Sequence, residues 1–580
     1  MFAYLVVRVF LVPPVHDEAR MIRFYIDTGN YLPPHAQWDA GNHLLVTMIG
    51  HWSTVLFGHA LWTVRLFPLL TYPLFAFGVI MLLREVKDPR LRWAFGTALL
   101  AMPFLHEYFA LFRGYGPALA FEVLGVLWLI RATNGAERRP LLFAFFFLAL
   151  GVLSSLNLLP MLCISIALAV LAVLRGPVVG RLRRLYAIAL VGGVPALFMV
   201  WYGYQLSSRD QLYAGGRSGL VSDTVGSLAQ WTLGVRVPWV NYVLALVIGG
   251  VLVWAIVHVA RKRFGPGTTP LFVLAMLLAG EIAGRILMAS VLGMPWPEER
   301  TALHFIPLVL LLMAFSMDRW AVRWPWVSAV GLLVLFFPIR TIATGNVDHT
   351  SFWVDQAIPD AVFDTMAALE ARSDRPLLIS GHYHLSEAWN YGREQRGERA
   401  APLDFEVFPQ PVCDVLILDT TKHIAPAGFH TVFTAPTGRL VLKLRDKPLV
   451  GEPVFDTLLT FPSGTNEFIE LWKPTSTESL VGHEHFVWIQ AGMDQVPVSM
   501  ARLVTELRTG DGQNVYYDHV FLGSMRHVWT PNALDVVRRV PLITPDVASA
   551  ALYLYNPDRT STEVGTVRIR VIRAGLPGKL

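Results

Sequence analysis

The feature that most constrains this chain is a succession of apolar stretches, each close to the length that crosses a bilayer as a helix. Spanning the hydrocarbon takes roughly 20 apolar residues, and such runs recur through the first 343 residues. They predict helices near 1–14, 60–83, 93–107, 114–131, 140–155, 157–174, 185–204, 238–260, 269–292, 301–317 and 325–343. The first and third are short as read, and the first carries Arg8. A chain that is 54% hydrophobic, with mean hydropathy +0.47, fits a polytopic membrane protein of about 11 spans and excludes an ordinary soluble one. The formal charge of +5 gives no reason to expect a nucleic-acid partner.

The basic residues fall in alternate loops. One set comprises Arg84, Lys87, Arg90, Arg92, Arg131, Arg138, Arg139, Arg175, Arg181, Arg183, Arg184, Arg261, Lys262, Arg263, Arg319 and Arg323. The opposite loops hold half as many, several beside acids: Arg20, Arg23, Arg113, Arg209, Arg217, Arg236, Arg300 and Arg340. The positive-inside rule makes the first set cytoplasmic. The loop around Asp17, and everything after about residue 344, are then expected outside. Leu11-Val12-Pro13-Pro14-Val15 lacks a small-residue cleavage pattern, so the first apolar stretch reads as retained. Cys163 and Cys413 lie in unlike surroundings and predict no disulfide.

Beyond the apolar half, 344–449 reads as a small α/β unit. Its amphipathic helix runs from Asp355 to Arg372, and its strand-like runs lie at 377–380, 415–418 and 440–444. From 450 to 580, short alternating runs at turn-punctuated spacing predict a jelly-roll-like β-sandwich. Its aromatic runs, Val515-Tyr516-Tyr517 and Leu552-Tyr553-Leu554-Tyr555, suit either a core or a sugar-stacking face, as in carbohydrate-binding modules.

Four outside elements carry chemistry-bearing residues. They are His16-Asp17-Glu18-Ala19-Arg20; Asp39-Ala40-Gly41-Asn42-His43; His106-Glu107-Tyr108 with Arg113-Gly114-Tyr115; and Pro297-Glu298-Glu299-Arg300. Carboxylates can take a proton from a hydroxyl, and arginines can grip a phosphate. Charged residues beside membrane helices also serve as plain anchors, and that reading stands for Arg113 and Arg300. Likewise His43 suits either a substrate contact or a helix cap. Within the spans, Glu281 and Arg285 are one helical turn apart and read as a pair. His382-Tyr383-His384 and His483-Glu484-His485 lack a third ligand in a recognisable spacing, so no metal site is expected from them.

Over roughly residues 10–135 these elements resemble GT-C glycosyltransferases of the protein O-mannosyltransferase and lipid A aminoarabinose-transferase kind. The carriers are the acidic pair followed by Arg20, the Asn42-His43 element, Leu61-Trp62-Thr63-Val64-Arg65-Leu66-Phe67-Pro68 and Arg113-Gly114-Tyr115. The resemblance implies a multi-pass enzyme of the bacterial inner (plasma) membrane with its C-terminal domains periplasmic or extracellular. It would transfer a hexosyl or pentosyl group from a polyprenyl-phosphate-linked sugar to a glycan, lipid or protein acceptor, with inversion. It makes Asp17 the general base, with Glu18 or Glu107 sharing the work. Arg20, Arg113, Tyr115 and Arg300 become ligands of the donor phosphate, and Asn42, His43 and His106 contact substrate. No cofactor is required, although some relatives need a divalent ion. A flippase for a lipid-linked saccharide, or an oligosaccharide polymerase or ligase, would share much of this pattern; the one-sided clustering of charge weighs against transport.

Overall fold

A computed structural model describes the chain except residues 135–137, 176–177, 263–267, 398–400, 404–407, 461–463, 496–500, 523–533, 558, 560–562 and 576–580. Arg263 of the basic series lies outside the described residues. The chain forms two compact units. One comprises Met1–Leu11 with Asn30–Val347, the other Val12–Gly29 with Asp348–Leu580.

The first unit is helical. Among the described residues, seven of its helical stretches are long and apolar enough to cross a membrane: Leu61–Leu83, Tyr115–Thr133, Leu156–Arg175, Arg181–Ser207, Pro238–Arg261, Thr269–Leu292 and Trp326–Thr344. The other four expected spans correspond to shorter helices, Phe2–Leu11, Pro89–Leu100, Arg138–Ser154 and Phe305–Ala321. Their ends have local causes. Val12-Pro13-Pro14 cannot continue the first, and Met102-Pro103 separates Pro89–Leu100 from a single turn at Pro103–His106. The apolar run after His43 is a helix, Leu44–Phe57, whose Val55, Leu56 and Phe57 are exposed while Leu44, Leu45 and Val46 are buried.

Several buried charges inside this unit are paired. Arg8 and Glu107, each 2% exposed, form an ion pair at 2.9 Å. Arg8 also donates to the Asn346 carbonyl at 2.5 Å, and Arg65 donates to the Val9 carbonyl at 3.1 Å. These bonds hold the short helix Phe2–Leu11 to distant parts of the unit. Arg285 reaches Glu281 at 3.3 Å and the Asn157 carbonyl at 2.5 Å, and His304 lies 3.5 Å from Glu281. The expected Glu281–Arg285 pair is therefore present, with His304 as a third member.

Among the described residues of the second unit, twelve strands run in chain order: β1 Ile379–Gly381, β2 Val415–Asp419, β3 Phe429–Thr434, β4 Leu440–Arg445, β5 Val450–Thr460, β6 Phe468–Trp472, β7 His485–Gln495, β8 Arg502–Thr509, β9 Asn514–Phe521, β10 Leu534–Val540, β11 Val547–Tyr555 and β12 Glu563–Gly575. The first four form a sheet of order β1-β2-β4-β3, in which β1 and β2 are parallel and the other pairs antiparallel. Helices Asp360–Glu370 and Ser386–Arg396 cover one face, where Val415 and Ile417 meet Phe363 and Trp389. The opposite face presents Leu416, Leu418 and Val441 to Phe486 of β7 and Val537 of β10. A strand covered on both sides has no polar alternation to keep, and all five residues of β2 are buried.

The remaining strands make two four-stranded sheets, β10-β7-β12-β5 and β6-β11-β8-β9, whose inner faces share one hydrophobic core. Val487 and Ile489 from one sheet meet Leu503, Leu552 and Leu554 from the other, which is the sandwich the alternation predicts. Tyr516 and Tyr517 divide between its faces, while Tyr553 and Tyr555 share the outer one. Tyr516 is buried in the core, whereas Tyr517 is 43% exposed.

Val12–Gly29 packs with these C-terminal residues. The backbone N–H of His16 donates to Gln356 Oε1 at 2.9 Å, Arg23 pairs with Glu387, and the Phe24 and Phe521 rings meet edge-on at 5.3 Å. A division at residue 343 does not capture this exchange of a short segment.

Within the small sheet, Asp414 takes both guanidinium nitrogens of Arg375 at 2.7 and 2.8 Å and the Leu378 N–H at 2.8 Å. Asp414→Ala removes all three acceptor contacts at once. It is expected to cost about 2–3 kcal/mol, read as a lower urea midpoint for loss of the sheet's protection from protease.

Candidate functional site

The acidic pair sits on a short helix, His16–Met21, opened by Val15 in extended conformation. Glu18 occupies its third position and accepts the Val15 N–H at 3.2 Å, the reach-back half of a capping box. This bond fixes Glu18, which is fully buried. Asp17, one residue earlier, is only half-buried. Arg20 places its guanidinium 5.1 Å from the centre of the Phe24 ring. The helix thus turns one carboxylate inward as a structural cap and leaves the other within reach of solvent.

Seven of the residues named from sequence belong to the helical unit. Arg113, Gly114 and Tyr115 lead into the helix Tyr115–Asn134, and the buried His43 ring meets Tyr115 edge-on at 5.0 Å. Gly114 permits that approach. A Cβ there would lie 2.5 Å from His43 Nδ1 and 1.8 Å from the Ser154 carbonyl. Arg113, itself 4% exposed, carries its guanidinium carbon 5.7 Å from the Tyr115 ring centre. Arg113 and Asp39 both come within 4 Å of where a Gly41 Cβ would stand, so a carboxylate accompanies this buried cation. Asn42 is held by its side-chain N–H to the Tyr31 carbonyl at 3.2 Å, next to His43.

Tyr115 also lines a small cavity. Its walls combine Arg300, Thr301, His304, Ser155 and Asn157 with the apolar side chains of Ala118, Leu119, Leu158 and Leu303. Arg300 is a quarter exposed, and its Glu299 neighbour lies 3.8 Å away. Burial pushes the Glu299 carboxyl up, against the pull of Arg300. The segment bearing Arg300 is tied by four hydrogen bonds to the connection 205–237, which is helical over Leu220–Val225 and Gly226–Leu233. Gly216 and Trp296 exchange backbone hydrogen bonds at 2.9 and 3.0 Å, Thr224 donates to the Pro297 carbonyl at 2.6 Å, and the Glu299 N–H reaches Ser227 at 2.8 Å. The connection is thus a brace for the arginine.

Glu107 and His106 are held elsewhere in this unit. Glu107 is the partner of Arg8, and His106 packs edge-on against Tyr4 at 5.5 Å. Neither lines the cavity. Its wall residues Asn157 and His304 went unselected in the sequence. Asn157 sits inside an apolar run and His304 just before one, so neither carries a motif. Tyr108 was passed over too; its ring lies 5.2 Å from Tyr115, and burial raises its hydroxyl well above the ordinary range, with Arg300 opposing. Among the described residues no group of three or more His, Cys, Asp or Glu side chains is arranged to hold a metal ion.

No protein-family model and no curated protein sequence matches the chain. Among solved structures, it is similar to the oligosaccharyltransferase of Archaeoglobus fulgidus, at 14% identity over 74% of this chain and 59% of that one, with a TM-score of 0.36. ArnT from Cupriavidus metallidurans, solved with undecaprenyl phosphate, matches at 17% identity over 76% of this chain and 96% of that one, TM-score 0.34. The arabinosyltransferase EmbB of Mycobacterium smegmatis matches at 13% identity over 99% of this chain and 63% of that one, TM-score 0.35. The chain therefore spans about three fifths of two of these proteins and nearly all of the third. TM-scores this far below 0.5 do not carry chemistry from one protein to another, so roles must be argued from this chain's own residues.

Proposed function

We propose that the chain is an integral-membrane glycosyltransferase that moves a sugar from a polyprenyl-phosphate donor to an acceptor hydroxyl with inversion. The observation that carries this reading is the convergence of Tyr115 and Arg300 on one small, part-apolar cavity. Both were singled out from sequence as phosphate ligands, from loops far apart in the chain. An arginine with hydroxyl and amide groups beside an apolar wall suits a phosphate joined to a hydrocarbon.

In this reading Asp17 takes the proton of the acceptor hydroxyl, whose oxygen attacks the anomeric carbon. The bond from that carbon to the phosphate oxygen breaks, and the electron pair leaves with the polyprenyl phosphate. Arg300, with Tyr115 and the neighbouring Arg113, stabilises the charge that gathers on the phosphate. Arg20 serves the same charge as a further cation, and His43 with Asn42 orients the sugar. Glu18, spent on its helix cap, positions Asp17, and Glu107 positions Arg8. A divalent ion is not required by this chemistry, because phosphate is a competent leaving group.

A second reading, transport of a lipid-linked saccharide, draws on Glu122. Its carboxylate is fully buried in the apolar helix Tyr115–Asn134 and has no hydrogen-bond partner among the described residues. Intramembrane acids of that kind often belong to translocation pathways.

The deciding measurement is transfer of labelled sugar from polyprenyl phosphate to acceptor in reconstituted vesicles. Asp17→Asn should abolish transfer at an unchanged melting temperature, and Arg300→Ala should raise the donor KM about tenfold, the worth of one charge-assisted hydrogen bond. Full transfer by the Asp17 variant would remove the base assignment; lipid movement without any transfer would favour the second reading.

Glu107 permits a separate check. Glu107→Ala leaves Arg8 buried without its carboxylate and should cost about 3–5 kcal/mol, seen as a lower melting temperature in detergent. Glu107→Gln keeps a hydrogen-bond acceptor and should retain transfer within a few-fold. A loss as complete as that of Asp17→Asn would instead make Glu107 a catalytic acid.

A further inference from the structure

The motif His382-Tyr383-His384 has no part in the chemistry above, yet the fold gathers other imidazoles around it. β1 and β2 are parallel neighbours, with Gly381 opposite Ile417. His382, Tyr383 and His384 follow the carboxyl end of β1, and His423 follows the carboxyl end of β2. In open α/β sheets this edge, beyond the carboxyl ends of parallel strands, is where ligands bind. The helix His16–Met21 adds a fourth imidazole. The His16 ring lies 6.1 Å from His384 and 6.4 Å from Tyr383, both edge-on. His382 is 4.6 Å from His384 and 5.3 Å from His423, centre to centre.

Two polar atoms here lack a use. His16 is 9% exposed, and its Nδ1 has no hydrogen-bond partner among the described residues; the same holds for the buried Nε2 of His423. His382, Tyr383 and His384 are only half-buried, so the group is open on one side. Burying a polar atom unpaired costs free energy that a bound partner would recover.

The chemistry of that partner follows from the protonation of the rings. Burial, with the nearby His384, Lys422 and His423, holds His382 at about 4. Burial also lowers His16 and His384, with Asp17 pulling both the other way. The rings of His16, His382 and His384 are therefore neutral near pH 7, and each offers one donor and one acceptor. His382 Nδ1 accepts the His384 backbone N–H at 3.2 Å, which leaves the ring proton on Nε2. A nitrogen that carries a proton cannot ligate a metal. Cations near these rings are matched by acids, Lys422 by Asp355 and Arg23 by Glu387, so little net positive charge awaits an anion. Neutral groups that both give and take hydrogen bonds, set among aromatic rings, match the hydroxyls and C–H faces of a sugar.

We propose that His16, His382, His384 and His423 form, beside Asp17, a binding subsite for a neutral saccharide, and that this saccharide is the acceptor. The word acceptor rests on the glycosyltransferase reading; saccharide binding at this edge does not. Residues 382, 384 and 423 then set acceptor specificity.

The test uses the full chain in detergent micelles and saturation-transfer NMR with three probes: methyl α-D-mannopyranoside, methyl β-D-galactopyranoside and methyl α-D-arabinofuranoside. At least one should receive saturation from the native chain and from Asp17→Asn. The signal should fall at least fivefold in His382→Gln and His384→Gln at an unchanged melting temperature. His423→Gln, on the other loop, should show the same fall and serves if either of those variants does not fold. Silence of all three glycosides with the native chain, or a signal that survives in every folded variant, overturns the proposal. So does zinc chloride binding at one ion per chain and lost in the same variants, which would make the group a metal centre. A chain that transfers sugar yet binds no glycoside here keeps the enzyme reading and loses this subsite; one that binds a glycoside without transfer does the reverse.

Discussion

A charge in an apolar interior is tolerable only beside its opposite, and this requirement shapes the helical unit. The Arg8–Glu107 pair satisfies it where a ten-residue helix, too short to span a bilayer alone, must be held in place. Guanidinium bonds from Arg8 to the Asn346 carbonyl and from Arg65 to the Val9 carbonyl add directional contacts that apolar packing lacks. The same rule recurs deeper in sequence, where Glu281 serves both Arg285 and His304. That network touches the cavity wall through Asn157 and His304, so part of that wall is set by the ion pairs behind it.

The second unit solves a different problem. A four-stranded sheet buried on both faces needs a partner for each, and two helices and the sandwich supply them. This leaves the carboxyl edge of β1 and β2 to loops, where the imidazoles gather. The segment Val12–Gly29 joins them through the His16 backbone contact to Gln356 and the Arg23 ion pair to Glu387. Asp17 is thereby fixed by C-terminal residues, although its neighbours in sequence are membrane-like.

Much of this was legible in the chain. Apolar runs marked the helical half, strict alternation marked the sandwich, and i, i+4 spacing marked Glu281 with Arg285. The elements bearing Tyr115 and Arg300 were visible as polar breaks beside apolar helices. Pairings between distant residues were not, because neither Arg8 nor Glu107 has a local pattern that names the other. Glu107 therefore read as a free acid near the chemistry, when its burial with Arg8 gives it a structural use. Four histidines spread from residue 16 to residue 423 form no spacing motif, since the parallel pairing of β1 with β2 is what assembles them. Helix lengths were overestimated wherever proline cut an apolar run, as at Pro13 and Pro103.

The placement of Val12–Gly29 has a consequence in time. A six-residue helix does not persist alone in water, and the partners that hold this one, Gln356 and Glu387, leave the ribosome more than three hundred residues later. At ordinary translation rates that delay is about 20–70 seconds. The carboxylate at position 17 is thus unassembled throughout synthesis of the helical half, and a chain interrupted before residue 387 carries its acid on an unanchored strand of polypeptide.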